Sequence, residues 1–196
     1  VKLPYKSYLH CLLQRDKKGE QEFWRQYLGG FKCFDQLTDN WKAVKDNEDN
    51  LCLEKVALYH ELQDRIAAFQ QVNGLTQATF FNFAWGILLN RYSNQKEVLF
   101  GTTVSGRNAM LQGIEFSVGL FINTIPLRFS VCGESTCLDE LLKLQKGMIQ
   151  RNEFELTSLN DIKQYLQWEA REHIFQTIVV LDNYPIDLEA INRSEA

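Results

Sequence analysis

The chain has 196 residues, a formal net charge of −4, and 45% hydrophobic and 23% charged residues. These are the values of an ordinary globular domain, so collagen-like, linker-dominated and wholly disordered chains are excluded. The length predicts a single domain or a large part of one. Acidic and basic residues are interspersed along the chain, which argues against a face that binds nucleic acid or anionic lipid.

The first 58 residues contain one helical region, one irregular region and one candidate strand. Apolar residues at helical spacing predict one long helix or two abutting helices over 5–28, ended by Gly29 and Gly30. The stretch 31–50 is polar and acidic and is predicted to be a loop. Residues 51–58 follow it as a candidate strand.

Two helices are predicted next, separated by a glycine turn. Helical spacing over 61–72 ends at Asn73 and Gly74, and Thr76 is a suitable N-cap for a second helix that runs through Tyr92. This second helix is apolar nearly all round, so we expect it to be sandwiched on several sides. Residues 66–90 carry no charge, but Gln, Asn and Gly residues interrupt them and leave the apolar run too short to span a membrane.

The second half of the chain contains most of the β-rich segments. Residues 97–104 and 118–129 are predicted to be two central strands, joined by a glycine-bearing loop. Helical spacing predicts helices at 138–149 and 159–166, and the β-branched run 174–181 predicts a third strand. The interleaved helices and strands indicate an α/β or α+β domain with a mixed sheet.

Catalytic and metal-binding signatures are scarce in this sequence. The five cysteines and three histidines are scattered, with no Cys-x-x-Cys pair and no adjacent histidines, which disfavours a disulfide framework, a zinc site or a catalytic triad. Cys132 and Cys137 flank a short turn, where a disulfide is conceivable outside a reducing compartment. Dinucleotide, phosphate-loop and hydrolase motifs are absent. The N-terminus lacks an apolar signal core, and we expect a cytoplasmic chain with no metal site.

Residues 103–128 carry the most informative pattern, because glycines, an amide and an arginine interrupt apolar strands there. A glycine in a strand allows another backbone or a ligand to approach closely. Ser105, Asn123 and Thr124 offer uncharged hydrogen bonds that would orient an amide or a thioester. The alternative is a strand that ends in a turn, with Asn123 satisfying backbone groups. The residues alone leave both interpretations open.

Several motifs follow one another in a specific order. Pro-Tyr-x-x-Tyr begins at Pro4, Phe-Gly-x-x-Val-Ser-Gly-Arg at Phe100, Val-Gly-Leu-Phe-Ile-Asn-Thr at Val118, Thr-x-Leu-x-x-Ile at Thr157 and Asn-Tyr-Pro at Asn183. In this order they resemble the C-terminal half of a condensation domain of nonribosomal peptide synthetases. The likeness extends over nearly the whole chain.

The resemblance implies an α/β (α+β) lobe similar to chloramphenicol acetyltransferase, with a mixed β-sheet and helices packed on it. In this family two such lobes meet at a tunnel, and the catalytic His-His-x-x-x-Asp-Gly motif lies in the N-terminal lobe. This chain has no His-His pair. We therefore assign residues 1–196 to the C-terminal lobe, with the N-terminal lobe absent and no catalytic residue in this chain.

The implied function is amide bond formation between aminoacyl or peptidyl thioesters, with this lobe as tunnel wall and floor. The implied partners are the N-terminal lobe, the donor and acceptor peptidyl carrier proteins and an adjacent adenylation domain. Phosphopantetheine is carried by the carrier proteins, and no cofactor is bound by the lobe itself. Alone, the chain is expected to fold but to be inactive. By similarity, the tunnel residues are Ser105, Gly106, Arg107, Gly119, Phe121, Asn123, Thr124, Asn183 and Tyr184.

Two other classes of function stay open at this point. One is a non-catalytic module that docks carrier proteins or acts as a gatekeeper. The other is a self-sufficient trimeric acyltransferase, which would need its own active-site histidine, and none of His10, His60 and His173 has that sequence context. At the level of single residues, the structural alternatives are an ion pair for Arg107 and a core aromatic with a satisfied hydroxyl for Tyr184.

Overall fold

The computed structural model describes residues 4–31, 53–107, 113–168 and 174–181. Within these ranges there are six α-helices and one three-stranded sheet. None of the described helices is both long and apolar enough to cross a membrane. The helices are α1 (Tyr5–Leu13), α2 (Lys17–Leu28), α3 (His60–Asn73), α4 (Gln77–Ser93), α5 (Cys137–Asn152) and α6 (Leu159–Leu166), and the strands are β1 (Glu97–Val104), β2 (Asn123–Ser130) and β3 (Ile178–Val179).

The sheet has the strand order β2-β1-β3 and is mixed. Strands β1 and β2 are antiparallel, with pairs that run from Glu97 opposite Ser130 to Val104 opposite Asn123. Strand β3 is parallel to β1 and pairs with it only at Gly101 and Thr102. The mixed sheet and its helices confirm the predicted fold class.

Two apolar clusters hold the helices on the sheet. One joins α2 and α6 to the strands, and the other joins α4 to them. In the second cluster α4 approaches Phe129 at Gly86, where a Cβ would lie 2.4 Å from Cγ of Phe129, so a glycine is needed for this packing distance. The first cluster consists of Trp24, Leu28, Phe31, Leu99, Val104, Ile125, Ile162 and Ile174. The second consists of Leu89, Val98, Phe100, Leu127 and Phe129.

The predicted helices are confirmed, and local capping residues set their ends. The region 5–28 is two abutting helices, because the Asp16 side chain accepts hydrogen bonds from the backbone N–H groups of Lys18 and Gly19 and starts α2. Helix α3 ends at Gly74, which is in the left-handed region with φ +63°. The Thr76 hydroxyl caps α4 by accepting from the backbone of Thr79, as the sequence predicted.

The predicted strands need correction, because a strand extends only as far as its neighbour. Residues 53–59 form no strand, and 51–52 lie outside the described residues. The second predicted strand begins at Asn123 rather than at 118, since β1 ends at Val104 and leaves 118–122 without a ladder partner. The third strand is confined to Ile178–Val179, the residues that are paired with β1 in the sheet.

Helix α4 packs against the sheet and against α5, and the rest of its surface is exposed. Its buried positions are Thr79, Asn82, Gly86 and Leu89, whereas Ala84, Leu88 and Tyr92 are exposed. The expected packing on several sides therefore holds for the sheet and α5, whereas the described part of the chain leaves the exposed positions uncovered. The apolar composition of a helix indicates how much of its surface can be buried. Which face is buried depends on the elements that pack around it.

Candidate functional site

The predicted tunnel residues form two segments that touch each other. Residues 105–107 follow β1, and residues 119–124 lead into β2. Gly106 has φ +64°, and a Cβ on it would lie 1.8 Å from the carbonyl oxygen of Phe121. The Val-Ser-Gly-Arg loop therefore lies directly against the Phe-Ile-Asn segment. Both the backbone conformation and the close contact require a glycine at position 106.

Arg107 fixes the same contact through its side chain. Its guanidinium carbon lies 4.3 Å from the centre of the Phe121 ring, a cation–π arrangement. Its Nη1 donates to the carbonyl oxygens of Ile114 at 2.5 Å and Ser117 at 3.1 Å. The sequence suggested an ion pair as the structural alternative; among the described residues, the partners of Arg107 are backbone carbonyls and an aromatic ring. Arg107 thus folds the short 3-10 turn Ile114–Phe116 back onto the site.

Helix α1 packs against the 119–121 segment. A Cβ on Gly119 would lie 2.2 Å from Cδ2 of Tyr5, so the Tyr5 ring lies directly on this glycine. The Tyr5 hydroxyl donates to the carbonyl oxygen of Leu120 at 2.8 Å. The ring of Phe121 meets those of Tyr5 and Tyr8 edge to face, with centroids 5.3 and 4.7 Å apart. The Pro-Tyr-x-x-Tyr motif therefore supports the Val-Gly-Leu-Phe motif.

An exposed apolar rim borders this packed layer. Alternate residues of the segment point outward, so Val118 is 85% exposed and Leu120 76% exposed, while Phe121 is buried. Exposed apolar side chains of this size, side by side, are typical of a surface that meets another protein or a ligand. The apolar rim consists of Phe116, Val118, Leu120 and Ile122.

Asn123 joins the site to the turn between α5 and α6. Its Nδ2 donates to the carbonyl oxygens of Glu155 at 2.7 Å and Thr157 at 2.9 Å. Its Oδ1 accepts from the backbone N–H of Thr124 at 2.9 Å. The amide therefore satisfies backbone groups, as the structural interpretation of the sequence expects. A role of Asn123 in turnover stays a prediction.

A buried charged network lies behind that turn. Arg15 forms ion pairs with Glu20 and Asp161, both at 3.3 Å, and the Tyr165 hydroxyl donates to Glu20 at 3.3 Å. Burial raises the pKa of Glu20, and it also raises the pKa of Tyr165 to about 12, with the neighbouring Glu20 charge as the next cause. Sequence reasoning missed this network, because Arg15 and Glu20 come from the start of the chain and Asp161 and Tyr165 from α6, and no local spacing links the two pairs.

A second buried cation, Arg151, lies at the end of α5. It is almost fully buried, and its Nη2 donates to Oδ1 of Asn152 at 3.1 Å. Burial lowers the pKa of Arg151, although a guanidinium stays protonated at neutral pH. This residue also escaped sequence reasoning.

Two predicted site residues, Asn183 and Tyr184, lie outside the described residues, as do Cys33 and Cys52. Cys11, Cys132 and Cys137 are free thiols. Within the described ranges, no group of three or more His, Cys, Asp or Glu side chains is placed to hold a metal ion.

Comparison with known proteins identifies the family. The condensation domain family matches residues 1–196, and the chain belongs to that family. It is 35% identical to chondramide synthase cmdD of Chondromyces crocatus over 197 residues, which is 97% of this chain and 5% of that protein. It is 31% identical to bacitracin synthase 3 of Bacillus licheniformis over 192 residues, which is 98% of this chain and 3% of that protein. The chain thus spans a small part of these large synthases.

Solved structures share the fold. The first condensation domain of the CDA synthetase matches with a TM-score of 0.71 at 13% identity, covering 91% of this chain and 38% of that chain. The X-domain from teicoplanin biosynthesis matches with a TM-score of 0.64 at 20% identity, covering 88% of this chain and 39% of that chain. Both likenesses establish the α/β architecture, and this chain spans less than half of each matched chain.

Proposed function

We propose that residues 1–196 are the C-terminal lobe of a condensation domain and supply wall and floor of the tunnel in which a nonribosomal peptide synthetase forms its amide bond. Condensation domains of these synthetases are peptide-bond-forming. The observation that carries the proposal is the direct contact of the Val-Ser-Gly-Arg loop with the Phe-Ile-Asn segment beside the apolar rim. The share of the solved condensation domain that this chain matches, 38%, supports its assignment to one lobe.

The reaction joins an acceptor α-amine to a donor thioester. The amine nitrogen attacks the thioester carbonyl, the C–N bond forms, the C–S bond breaks and the thiol leaves with a proton. The resemblance places the histidine that orients or deprotonates the amine in the N-terminal lobe. The groups that this chain offers beside the site are uncharged donors and acceptors, namely Ser105, Asn123 and Thr124, which suit orientation rather than proton transfer.

The partners follow from the same proposal. The N-terminal lobe would cover the apolar rim, and donor and acceptor carrier proteins would deliver their thioesters on phosphopantetheine arms. An adenylation domain would lie next to the condensation domain. The relatives are large synthases of which this chain covers 3–5%, which fits a protein with many further domains.

A non-catalytic docking or gatekeeping module is the second candidate. The observation that favours it is that the X-domain from teicoplanin biosynthesis, which has the same fold, has been solved in complex with OxyB. A fold of this class therefore also serves in binding another protein. A module of this second kind would bind its partners with no turnover in the two-lobed protein.

The deciding experiment is Asn123→Ala in the complete two-lobed domain, supplied with loaded donor and acceptor carrier proteins. Loss of an orienting hydrogen bond is expected to slow product formation by roughly tenfold to a hundredfold, corresponding to about 1–3 kcal/mol. Product is followed by mass spectrometry and the melting temperature is measured on the same preparation. The isolated 196-residue chain is expected to form no product above the uncatalysed rate.

The matched control is Asn82→Ala. Asn82 also donates through Nδ2 to a backbone carbonyl, that of Ala78, but it lies on α4 outside the candidate site. It is buried, whereas Asn123 is half-buried. It is expected to change the melting temperature and to leave turnover of the folded protein intact. Normal turnover of well-folded Asn123→Ala would overturn the orienting role. Absence of turnover in the unmodified two-lobed domain, with carrier binding retained, would favour the docking module.

A further inference from the structure

The turn formed by residues 155–157, called here the 155–157 turn, is held by two side chains that come from different parts of the chain. Nδ2 of Asn123 binds the first and third of its carbonyl oxygens. Nη1 of Arg15 binds the middle one, that of Leu156. Because the three carbonyls are consecutive, a shift of the turn that changes the hydrogen bond to Arg15 also changes the hydrogen bonds to Asn123.

Arg15 is well suited to fix this turn. Its side chain is 14% exposed, and it lies between α1 and α2. Nε donates to the carbonyl oxygen of Leu12 at 2.9 Å, and the two terminal nitrogens lie 3.3 Å from carboxylate oxygens of Glu20 and Asp161. A planar guanidinium bound on several sides has one orientation, so its bond to the Leu156 carbonyl has a fixed direction.

We propose that Arg15 is a positioning residue for amide bond formation, acting on Asn123 through the 155–157 turn. The proposal rests on the proposed function, in which Asn123 lies on the tunnel floor. Asn123 has two of its hydrogen bonds on this turn, so a shift of the turn rotates the amide and disturbs the bond from Thr124 to Oδ1. Arg15 itself is not assigned to the tunnel and touches none of the reacting groups.

The variant that tests this is Arg15→Lys. A lysine keeps the positive charge beside the buried Glu20, so it avoids leaving a carboxylate without a cation in the interior. A single ammonium on a flexible stem cannot serve Leu12, Leu156 and Asp161 at once, so the hold on the turn is lost. If Arg15→Lys folds poorly, Arg15→Gln combined with Glu20→Gln removes both charges together.

The matched control is Arg128→Lys. Arg128 also combines an ion pair, with Glu97 at 2.7 Å, with bonds from Nη1 to the backbone carbonyls of Tyr27 and Gly29, both at 3.2 Å. It lies on β2, the same strand as Asn123, but it has no bond to the 155–157 turn. A general effect of replacing a half-buried arginine by lysine would therefore be seen in both variants.

The first measurement is amide hydrogen exchange in the complete two-lobed domain, which reports on the turn without any turnover. Exchange in the peptide containing residues 155–162 is expected to be faster in Arg15→Lys and in Asn123→Ala, and unchanged in Arg128→Lys. Unchanged exchange of this peptide in Arg15→Lys would overturn the proposal, whatever the role of Asn123.

The second measurement is a double-mutant cycle on turnover with saturating loaded carrier proteins. Arg15→Lys and Asn123→Ala are each expected to slow turnover by roughly tenfold, and the double variant is expected to be within about twofold of the slower single variant. Losses that multiply, or normal turnover of Arg15→Lys beside a slow Asn123→Ala, would overturn the role of Arg15 and leave that of Asn123 intact. Normal turnover of Asn123→Ala would overturn the proposed role of Asn123 on the tunnel floor.

Discussion

Two regions of this chain contain similar apolar residues and bury them very differently. In the sheet, Leu127 is fully buried between helices, whereas Leu53, ahead of α3, is 75% exposed. Helix α3 as a whole has no buried residue, although Leu62 and Phe69 lie on it. The difference teaches that the burial of a leucine or an aromatic residue is decided by which elements lie beside its segment, since both regions contain such residues.

The exposed region also has a meaning for the proposed function. Apolar side chains are exposed both around α3 and along the apolar rim, and a folded protein rarely leaves so many uncovered unless a partner meets them. A second lobe is the partner that the proposed function supplies. Around α3 these exposed residues are Leu53, Val56, Leu58, Tyr59, Leu62, Phe69 and Val72.

The largest expected effect is the difference in stability loss between two leucine-to-alanine variants, one in each region. Leu127→Ala is expected to lower the free energy of unfolding by about 3–5 kcal/mol, because it leaves a cavity in a packed core. Leu53→Ala removes the same atoms from an exposed position and is expected to change it by less than about 0.5 kcal/mol. Urea unfolding of the domain carrying each variant measures both values. Equal losses would contradict the contrast between the regions.

The next largest effect on stability is expected at Gly106, which contacts the backbone of Phe121. Gly106→Ala is expected to destabilise by about 2–3 kcal/mol, since alanine is strained at positive φ and its Cβ would overlap the Phe121 carbonyl. Gly74 has a similar φ but open space around it, so Gly74→Ala isolates the strain of the backbone alone. Gly133→Ala meets neither problem and is the neutral control. Thermal unfolding should rank the three in this order, and a Gly106→Ala protein as stable as Gly133→Ala would contradict the observed contact.

The buried charge of Glu20 gives a smaller effect, visible as a pH dependence. Burial raises its pKa above the ordinary value of 4.5, and this outweighs the lowering by Arg15, while Asp161 raises the pKa further. The folded protein therefore holds this proton to higher pH than the unfolded chain does. Between pH 4.5 and the raised pKa, stability is expected to fall as the pH rises.

Glu20→Gln should remove that part of the pH dependence, because glutamine does not titrate and can still accept from the Tyr165 hydroxyl. Urea unfolding across this pH range, for the unmodified protein and the variant, provides the comparison. Identical pH profiles for the two proteins would show that Glu20 does not titrate differently on folding.

The sequence alone determined the helices, because their signals are local. Thr76 and Gly74 each act on backbone groups within a few residues, and so these helix ends were predicted from neighbouring residues. The cap of Asp16 on α2 is equally local, although the sequence left one long helix or two abutting helices open. The motif residues of the site were also found from the sequence alone, because their order along the chain carried the resemblance to condensation domains. The sequence predicted which residues belong to the candidate site but not which groups they contact.

Only the tertiary structure decided the extent of the strands. Residues 118–122 are as β-rich as β2 itself, yet they form no strand because β1 ends at Val104 and offers them no further backbone partner. Tertiary structure also decided which face of α4 is covered, because its apolar sequence does not distinguish one face from another. A strand needs hydrogen bonds from a neighbour that is distant in sequence, and no local pattern reports where that neighbour stops.

The contacts that position the candidate site were likewise a matter of tertiary structure. Asn123 was predicted either to orient a substrate or to satisfy backbone groups, and the fold places its amide on the turn that Arg15 holds from elsewhere in the chain. Arg15 and Asp161 are far apart in sequence and meet only when α1, α2 and α6 come together. An ion pair of this kind leaves no periodic trace in the sequence, because its two charges are brought together by packing rather than by spacing along one helix.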